Sequence, residues 1–465
     1  MDNSPPHKIT IVAPTCFYYQ APLFRALASD DRLDLTVVFC TEEGVSGTDI
    51  KTAYGIDGSW GAIDELLGGY KSKFLKNHAR RGSYLKSLVG LLNLGIWDEL
   101  KRERPDAVAI MSWMNPTWWL TILACIRFRI PILLMTDANM EAESLNSNWK
   151  TWVKRITLAE LLFRSASGFL CAGTSNRKLY THYGVPDEKL YPFAYSWGYG
   201  SLIEKSKSLI GKESELRTEY GLPQDAIIVL YCGRFSEEKG SLELLKAFKD
   251  VSHPRKALVL VGDGGMRGRM QNFADANGIG SIFFMGFQNR EDIAKFYALA
   301  DLLVLPSLKE TWGMVVNEGL CFSLPVVVSD QVGSGTDLVR HGENGQIFPA
   351  GNVAALSESI SNLIDLPDEV RLNMGEKSWE LINAWSNQDI ASVLVEYFQS
   401  SGPETNSTTI GILVKIFRAV PEVVAHAAGV LIVCSLWLVG VTFLFSRPGF
   451  RRLRSILRRL QSYQS

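Results

Sequence analysis

Apolar residues in this chain fall in short unbroken runs separated by stretches of helical length. Residues 9–13, 35–39, 107–111 and 132–135 are runs of strand length. Runs without polar alternation predict strands buried on both faces of a parallel sheet. Helices are predicted around 22–28 and 117–126. The alternation restarts near Ala226, with strands predicted at 227–231, 257–261, 281–285, 302–305 and 325–329. Between them, helices are predicted at 241–250, 266–277, 290–299 and 313–322. Two such series predict an α/β protein with two Rossmann-like, doubly wound domains, at 1–200 and 201–385.

The pattern changes after a helical stretch at 387–399. Residues 401–409, Ser-Gly-Pro-Glu-Thr-Asn-Ser-Thr-Thr, are polar and read as a linker. Residues 423–445 then form a 23-residue run whose one ionisable group is His426. That length suits a bilayer crossing with some tilt, whereas the bland alternative is a soluble helical hairpin. Leu453, Ile456, Leu457 and Leu460 recur at helical spacing among arginines, a pattern suited to an anionic membrane surface. Residues 410–465 are therefore expected to be membrane-associated, with lipid contacts over 410–460.

With 465 residues the chain is too long for one core, and 46% apolar and 21% charged residues are ordinary globular values. Net charge is −1, which gives no reason to expect nucleic acid as a partner. The total hides six arginines and no acid in 446–465. The seven cysteines are scattered without a paired spacing and read as reduced, mostly buried thiols. The start, Met-Asp-Asn-Ser-Pro-Pro-His-Lys, lacks a signal-peptide pattern.

Two clusters carry the chemistry. The first, Gly233-Arg234-Phe235-Ser236-Glu237-Glu238-Lys239-Gly240, follows a predicted strand and precedes a helix. Arg234 can fork onto phosphate oxygens, Lys239 adds a mobile charge, and the helix start aims amides at the same place. Glycines there allow close approach of a phosphate. The second cluster runs from Pro306 through Glu310 to Gly313-Met314-Val315 and Glu318-Gly319. Its carboxylates suit sugar hydroxyls and a ribose diol. A solvated loop, a helix cap and a surface acid are the bland alternatives. Gly262-Asp263-Gly264 is either a tight βα turn or a support beside the diphosphate. Together the clusters point to a site for a nucleotide-activated sugar.

These motifs, with Gly333-x-Gly335-Thr336-Asp337 and Gly342-x-Asn344-Gly345, resemble the nucleotide-sugar domain of the retaining glycosyltransferases called glycosyl transferases group 1. The resemblance covers roughly residues 5–400 and is looser in the first half. It implies the GT-B fold, with an N-terminal acceptor domain, a C-terminal donor domain, and a segment at 386–400 that crosses back to the first. It assigns Arg234 and Lys239 to the diphosphate, Glu310 to the donor sugar and Glu318 to the ribose. Gly233, Gly262, Asp263, Gly264, Gly313, Met314 and Val315 complete the donor set. It implies that no metal and no cofactor beyond the nucleotide sugar is needed.

Many relatives carry a histidine after the strand at 132–135. Here the loop reads Thr136-Asp137-Ala138-Asn139. Asp137 is the candidate in that place, either orienting the acceptor or capping a helix. Asn139, with Tyr18 and Tyr19 of the aromatic first loop, is assigned to the acceptor side. Trp113, Trp118, Trp119, Trp149 and Trp152 read as packing or as a face leaning on a membrane.

The expected function is retaining sugar transfer from a nucleotide sugar to a lipid-linked or envelope glycan. The alternatives are an inactive GT-B scaffold in a glycan-assembly complex and a nucleotide-sugar epimerase. The arginine-rich tail and a single crossing would place the catalytic domains outside by the positive-inside tendency, away from nucleotide sugars. Cytoplasmic catalytic domains at a membrane are expected, with residues 410–445 dipping in and returning or with the tail translocated.

Overall fold

Residues 227–232 illustrate how the strands form. Ile227, Val229 and Tyr231 join one buried cluster, while Ile228, Leu230 and Cys232 join another. Side chains alternate across a strand, so an unbroken apolar run is satisfied only between two covered faces. The computed structural model describes residues 5–17, 19–43, 66–79, 90–141, 162–193, 199–386 and 389–400.

The first domain holds a seven-stranded, all-parallel sheet. Its strands are β1 (His7–Ala13), β2 (Leu33–Phe39), β3 (Lys71–Phe74), β4 (Ala107–Ile110), β5 (Ile132–Thr136), β6 (Gly168–Cys171) and β7 (Leu190–Pro192). The spatial order is β3-β2-β1-β4-β5-β6-β7. The second domain holds β8 (Ile227–Cys232), β9 (Lys256–Val261), β10 (Ile282–Gly286), β11 (Leu302–Leu305), β12 (Val326–Ser329) and β13 (Gly345–Phe348). These run in the order β10-β9-β8-β11-β12-β13, again all parallel. Two Rossmann-like sheets are thus present, as the apolar pattern predicts. In each, the order reverses beside the first strand, between β1 and β4 and between β8 and β11. Ligands of such sheets lie outside the strand ends at that reversal.

The predicted helices at 241–250 and 290–299 are observed as Ser241–Asp250 and Arg290–Leu299. That at 313–322 is one residue shorter at each end, Met314–Cys321, because Gly313 with φ 94° sits outside the helix. The strands β3, β6, β7 and β13 and the helices Val353–Ile364 and Asp368–Ser386 are additional to the sequence expectations.

The helix Ile390–Gln399 packs on the first domain. Asp389 caps it by accepting from the Ser392 amide at 3.1 Å. Leu394 and Val395 join the cluster of Ile9, Ile11 and Phe24. Phe398 stacks on His7 with centroids 4.3 Å apart. Among the tryptophans, Trp118 is fully buried, and Trp119 donates its indole N–H to the Trp113 carbonyl at 3.1 Å. Trp113 and Trp119, partly buried, pack against the cluster that holds Trp118. Trp149 and Trp152 lie outside the described residues, as does the whole of 401–465 with its expected linker and membrane segment. Among the described residues no helix is long and apolar enough to cross a membrane.

Candidate active site

The loops after β8 and β11 leave the sheet side by side, because β8 and β11 are neighbours. Two clusters about seventy residues apart in sequence therefore meet. Leu308 and Lys309 donate backbone N–H bonds to the Glu238 carbonyl at 2.8 and 3.2 Å. Gly240, at φ 62°, has the Pro306 carbonyl oxygen 2.2 Å from where a Cβ would sit. No side chain fits there, and this close approach brings Lys239 onto Glu310. Lys239 Nζ forms an ion pair with Glu310 Oε2, with side chains 24% and 12% exposed. The cation expected at the phosphate and the carboxylate expected at the sugar are thus partners of each other. Ser307 also donates to Glu310 Oε2, at 3.4 Å.

The Arg234 guanidinium is exposed and has no acidic partner among the described residues. Its position is set by the backbone, since Tyr231 Oη donates to the Arg234 carbonyl at 3.0 Å. Phe235 is fully buried and anchors the loop. The buried hydroxyls of Ser236 and Ser241, beside the same loop, have no hydrogen-bond partner among the described residues. Buried donors without partners are rare. These two serines were not singled out from the sequence, where nothing but proximity to Lys239 marks them.

The glycine turn 262–264 packs as a tight βα turn against the loop after β8. The space a Cβ would occupy at Gly262 lies 1.9 Å from the Gly233 carbonyl oxygen, and at Gly264 2.4 Å from that of Phe235. Gly233 donates to the Val261 carbonyl and Phe235 to that of Asp263, both at 2.9 Å. The glycines let one loop pack against another, and on their Cβ side the room is filled by protein. Asp263 accepts from the Gly264 amide at 2.7 Å and from Arg267 Nη1 at 2.6 Å. It stabilises the turn, and its charge is matched by Arg267.

Glu318 lies on the helix Met314–Cys321, with Met314 and Val315 half-buried in its first turn. Tyr297, fully buried, donates Oη to Glu318 Oε2 at 2.6 Å. Burial pushes the Tyr297 phenol well above its ordinary value, and the charges of Cys232 and Glu318 act the same way. It therefore remains a donor across the physiological range. Nothing in the sequence distinguishes Tyr297 from any other apolar-face helix residue. Among the described residues no group of three His, Cys, Asp or Glu side chains could hold a metal ion.

Facing these loops is the segment after β5. Thr311 Oγ1 donates to Asp137 Oδ2 at 3.0 Å. Asp137 is exposed, though its carboxyl lies against the loop after β11. Desolvation holds its carboxyl above the usual range, the Thr311 hydrogen bond opposes this, and the charge of Glu310 adds to it. Asn139 is not on an open acceptor surface. It is 2% exposed and donates Nδ2 to the carbonyls of Glu310 at 2.9 Å and Thr311 at 2.8 Å. A second contact joins the domains nearby. Asp337 accepts from the Thr174 amide at 3.0 Å and its hydroxyl at 2.5 Å, at the start of the helix Thr174–His182. An acid at that end suits the helix dipole. Tyr19 stacks on Phe17 with centroids 5.1 Å apart, and Tyr18 lies outside the described residues.

Residues 212–380 match the family model described as Glycosyl transferases group 1. The chain is 30% identical over 197 residues to the Alpha-D-kanosaminyltransferase of Streptomyces kanamyceticus, covering 42% of this chain and 50% of that one. It is 29% identical over 186 residues to the lipopolysaccharide core biosynthesis glycosyltransferase LpsE of Rhizobium meliloti, covering 40% and 53%. The chain thus spans about half the length of the curated relatives it matches. Among solved structures, Anabaena HepE in complex with UDP aligns with a TM-score of 0.64 at 18% identity, over 85% of this chain and 100% of that one. WaaG, a glycosyltransferase involved in lipopolysaccharide biosynthesis, aligns with a TM-score of 0.55 at 16% identity, over 85% and 100%. At such identities the likeness shows the shared fold of two facing Rossmann-like domains.

Proposed function

The domain spanning residues 212–380 belongs to the glycosyl transferases group 1 family, and on that premise we propose that this chain transfers a sugar from a nucleoside diphosphate to an acceptor hydroxyl. The observation that carries the reading is the meeting of Lys239, Glu310 and the start of the helix Ser241–Asp250 at the β8/β11 reversal. A diphosphate arriving there takes Lys239 from Glu310 and adds Arg234 and the helix amides. The freed Glu310 carboxylate then accepts from donor-sugar hydroxyls, and Glu318, held by Tyr297, from the ribose.

In the reaction the bond from the anomeric carbon to the β-phosphate oxygen breaks, the acceptor oxygen bonds to that carbon, and the acceptor's proton passes to the departing diphosphate oxygen. Charge on the departing diphosphate is largest in the transition state, so Arg234 and Lys239 act there more than on bound donor. Asp137 is assigned to the acceptor hydroxyl. Retention at the anomeric carbon is part of the reading and rests on the Glu310-x7-Glu318 motif; the anomeric coupling constant of the product tests it. A lipid-linked or envelope glycan is the proposed acceptor class. It rests on the 23-residue apolar run 423–445 and the arginines after it, which would hold the chain at a membrane; the catalytic domains are then cytoplasmic where 410–445 dips in and returns or the tail is translocated.

Lys239→Ala should lower transfer by about a hundredfold or more, a loss of the size seen when one transition-state donor is removed. Thermal shift with a panel of nucleotide sugars identifies the donor through mass action. Transfer by Lys239→Ala at the wild-type rate would overturn the site, and no response to any donor would favour an inactive scaffold.

A further inference from the structure

Three consecutive residues of the loop after β11 touch the first domain. The two carbonyls of Glu310 and Thr311 accept from Asn139 Nδ2 at 2.9 and 2.8 Å. The Thr311 hydroxyl donates to Asp137 at 3.0 Å. Trp312 lies against Gly173, its Cζ3 atom 2.5 Å from where a Cβ of that glycine would be. The Asn139 contact is the most restrictive. Its amide nitrogen faces two carbonyl oxygens, so the amide oxygen cannot take that place, and both N–H hydrogens are engaged. Asn139 is almost fully buried, and a neighbour makes room for it. At Gly333 a Cβ would lie 2.1 Å from the Thr311 carbonyl oxygen and 3.0 Å from Asn139 Nδ2. Any larger residue there would displace the loop.

Resting on the glycosyltransferase reading above, we propose that Asn139 is a positioning residue through which the first domain sets the direction of the Glu310 carboxylate. The two bonds fix the peptide planes on either side of Thr311. The plane after Glu310 in turn fixes the direction of its Cα–Cβ bond, and so the reach of the carboxylate toward Lys239 or a donor sugar. The carboxylate that recognises the sugar is then in place only when the two domains meet at this edge. Phosphate binding is separate, because Arg234, Lys239 and the helix Ser241–Asp250 hang on the second domain alone. The consequence is a division of labour. The second domain holds the nucleoside diphosphate by itself, and the sugar is recognised with the help of the first.

The test compares the full chain with Asn139→Ala and with Asn139→Asp, which keeps the volume and removes the two donors. Each domain has its own core, so losing this contact leaves both folded. Hydrogen exchange needs no ligand. Amides at 307–313 should exchange about tenfold faster in both variants, and those of the helix Ser241–Asp250 at the wild-type rate. Binding is measured by calorimetry with UDP and UDP-glucose, and with GDP and GDP-mannose. For the pair the wild type binds, Asn139→Ala should keep the affinity for the nucleoside diphosphate within about twofold and lose about tenfold of the extra affinity due to the sugar. Wild-type exchange at 307–313 in both variants sinks the proposal, as does faster exchange throughout the chain, which would mean a general stabilising role. A wild type that binds none of the four probes counts against the glycosyltransferase reading with these donors, and the exchange data still decide the role of Asn139.

Discussion

At the residue scale, what matters is who holds each carboxylate. Glu318 has a fully buried phenol as a partner, and the bond at 2.6 Å is charge-assisted. Removing the hydroxyl leaves the carboxylate in a half-buried place without that donor and frees its rotamer. Tyr297→Phe should therefore cost about 1.5–3 kcal/mol of stability, the range for a lost bond to a charged group. It should weaken binding of nucleoside diphosphates about three- to tenfold while leaving 2′-deoxy analogues nearly unaffected, because only the ribose diol depends on Glu318. Calorimetry with the ribo and deoxy forms of one diphosphate separates the two cases; equal losses for both would remove Glu318 from the ribose. Residue roles were partly legible in the sequence. Glycine, cation and acid at a strand end state a chemistry, and the loops bearing them do meet. Their partners were not legible. Lys239 and Glu310 are 71 positions apart, and Asn139 reaches carbonyls 171 and 172 positions away. Only the strand order and the docking of two domains bring such groups together.

At the scale of elements, the glycines join loops. Gly262 has φ 140°, and a methyl group added to it would fall 1.9 Å from the Gly233 carbonyl oxygen. Backbone cannot swing away as a flexible side chain can, so the loop after β8 must move. Gly262→Ala should cost about 2 kcal/mol or more and weaken nucleotide binding by displacing Arg234 and Lys239. Gly265→Ala is the control, since nothing lies within 4 Å of its Cβ position. A thermal melt of both variants gives the comparison, and equal melting temperatures would show that the loop contact adjusts freely. The strands found from sequence are those covered on both faces, such as β8 and β9, whose apolar runs are unbroken. Those missed are three edge strands, β3, β7 and β13, and the interior β6, whose four residues Gly-Phe-Leu-Cys make too short a run to stand out. β3 reads Lys-Ser-Lys-Phe, β7 is three residues ending in proline, and β13 begins with Gly-Gln. These edge strands carry charge, proline or a polar residue, so no apolar run announces them, whereas the edge strand β10 keeps the run Ile-Phe-Phe-Met and is predicted.

At the scale of the molecule, the chain leaves the first domain, builds the second and returns. The return helix Ile390–Gln399 closes the face of the first sheet that carries Ile9, Ile11 and Leu35. Leu394 is 1% exposed within that cluster. Truncating it to alanine removes its transfer free energy and leaves a cavity, together about 2–5 kcal/mol. The loss should fall on the first domain alone, because the second has separate cores on both faces of its own sheet. In Leu394→Ala, hydrogen exchange of β1 and β2 should accelerate while β8 and β9 keep wild-type protection. A ligand held by the second domain should then protect β8 and β9 further without restoring β1. Domain-wide acceleration in both halves would instead mean that the two domains unfold as one unit, with the Asn139 and Asp337 contacts strong enough to join them. The thiols give an independent reading of the same order. Among the described residues all six cysteines are buried and free, and burial pushes Cys171 up to about 12. Cys171 belongs to the first domain and Cys321 to the second, so in Leu394→Ala a thiol reagent should reach Cys171 well before Cys321.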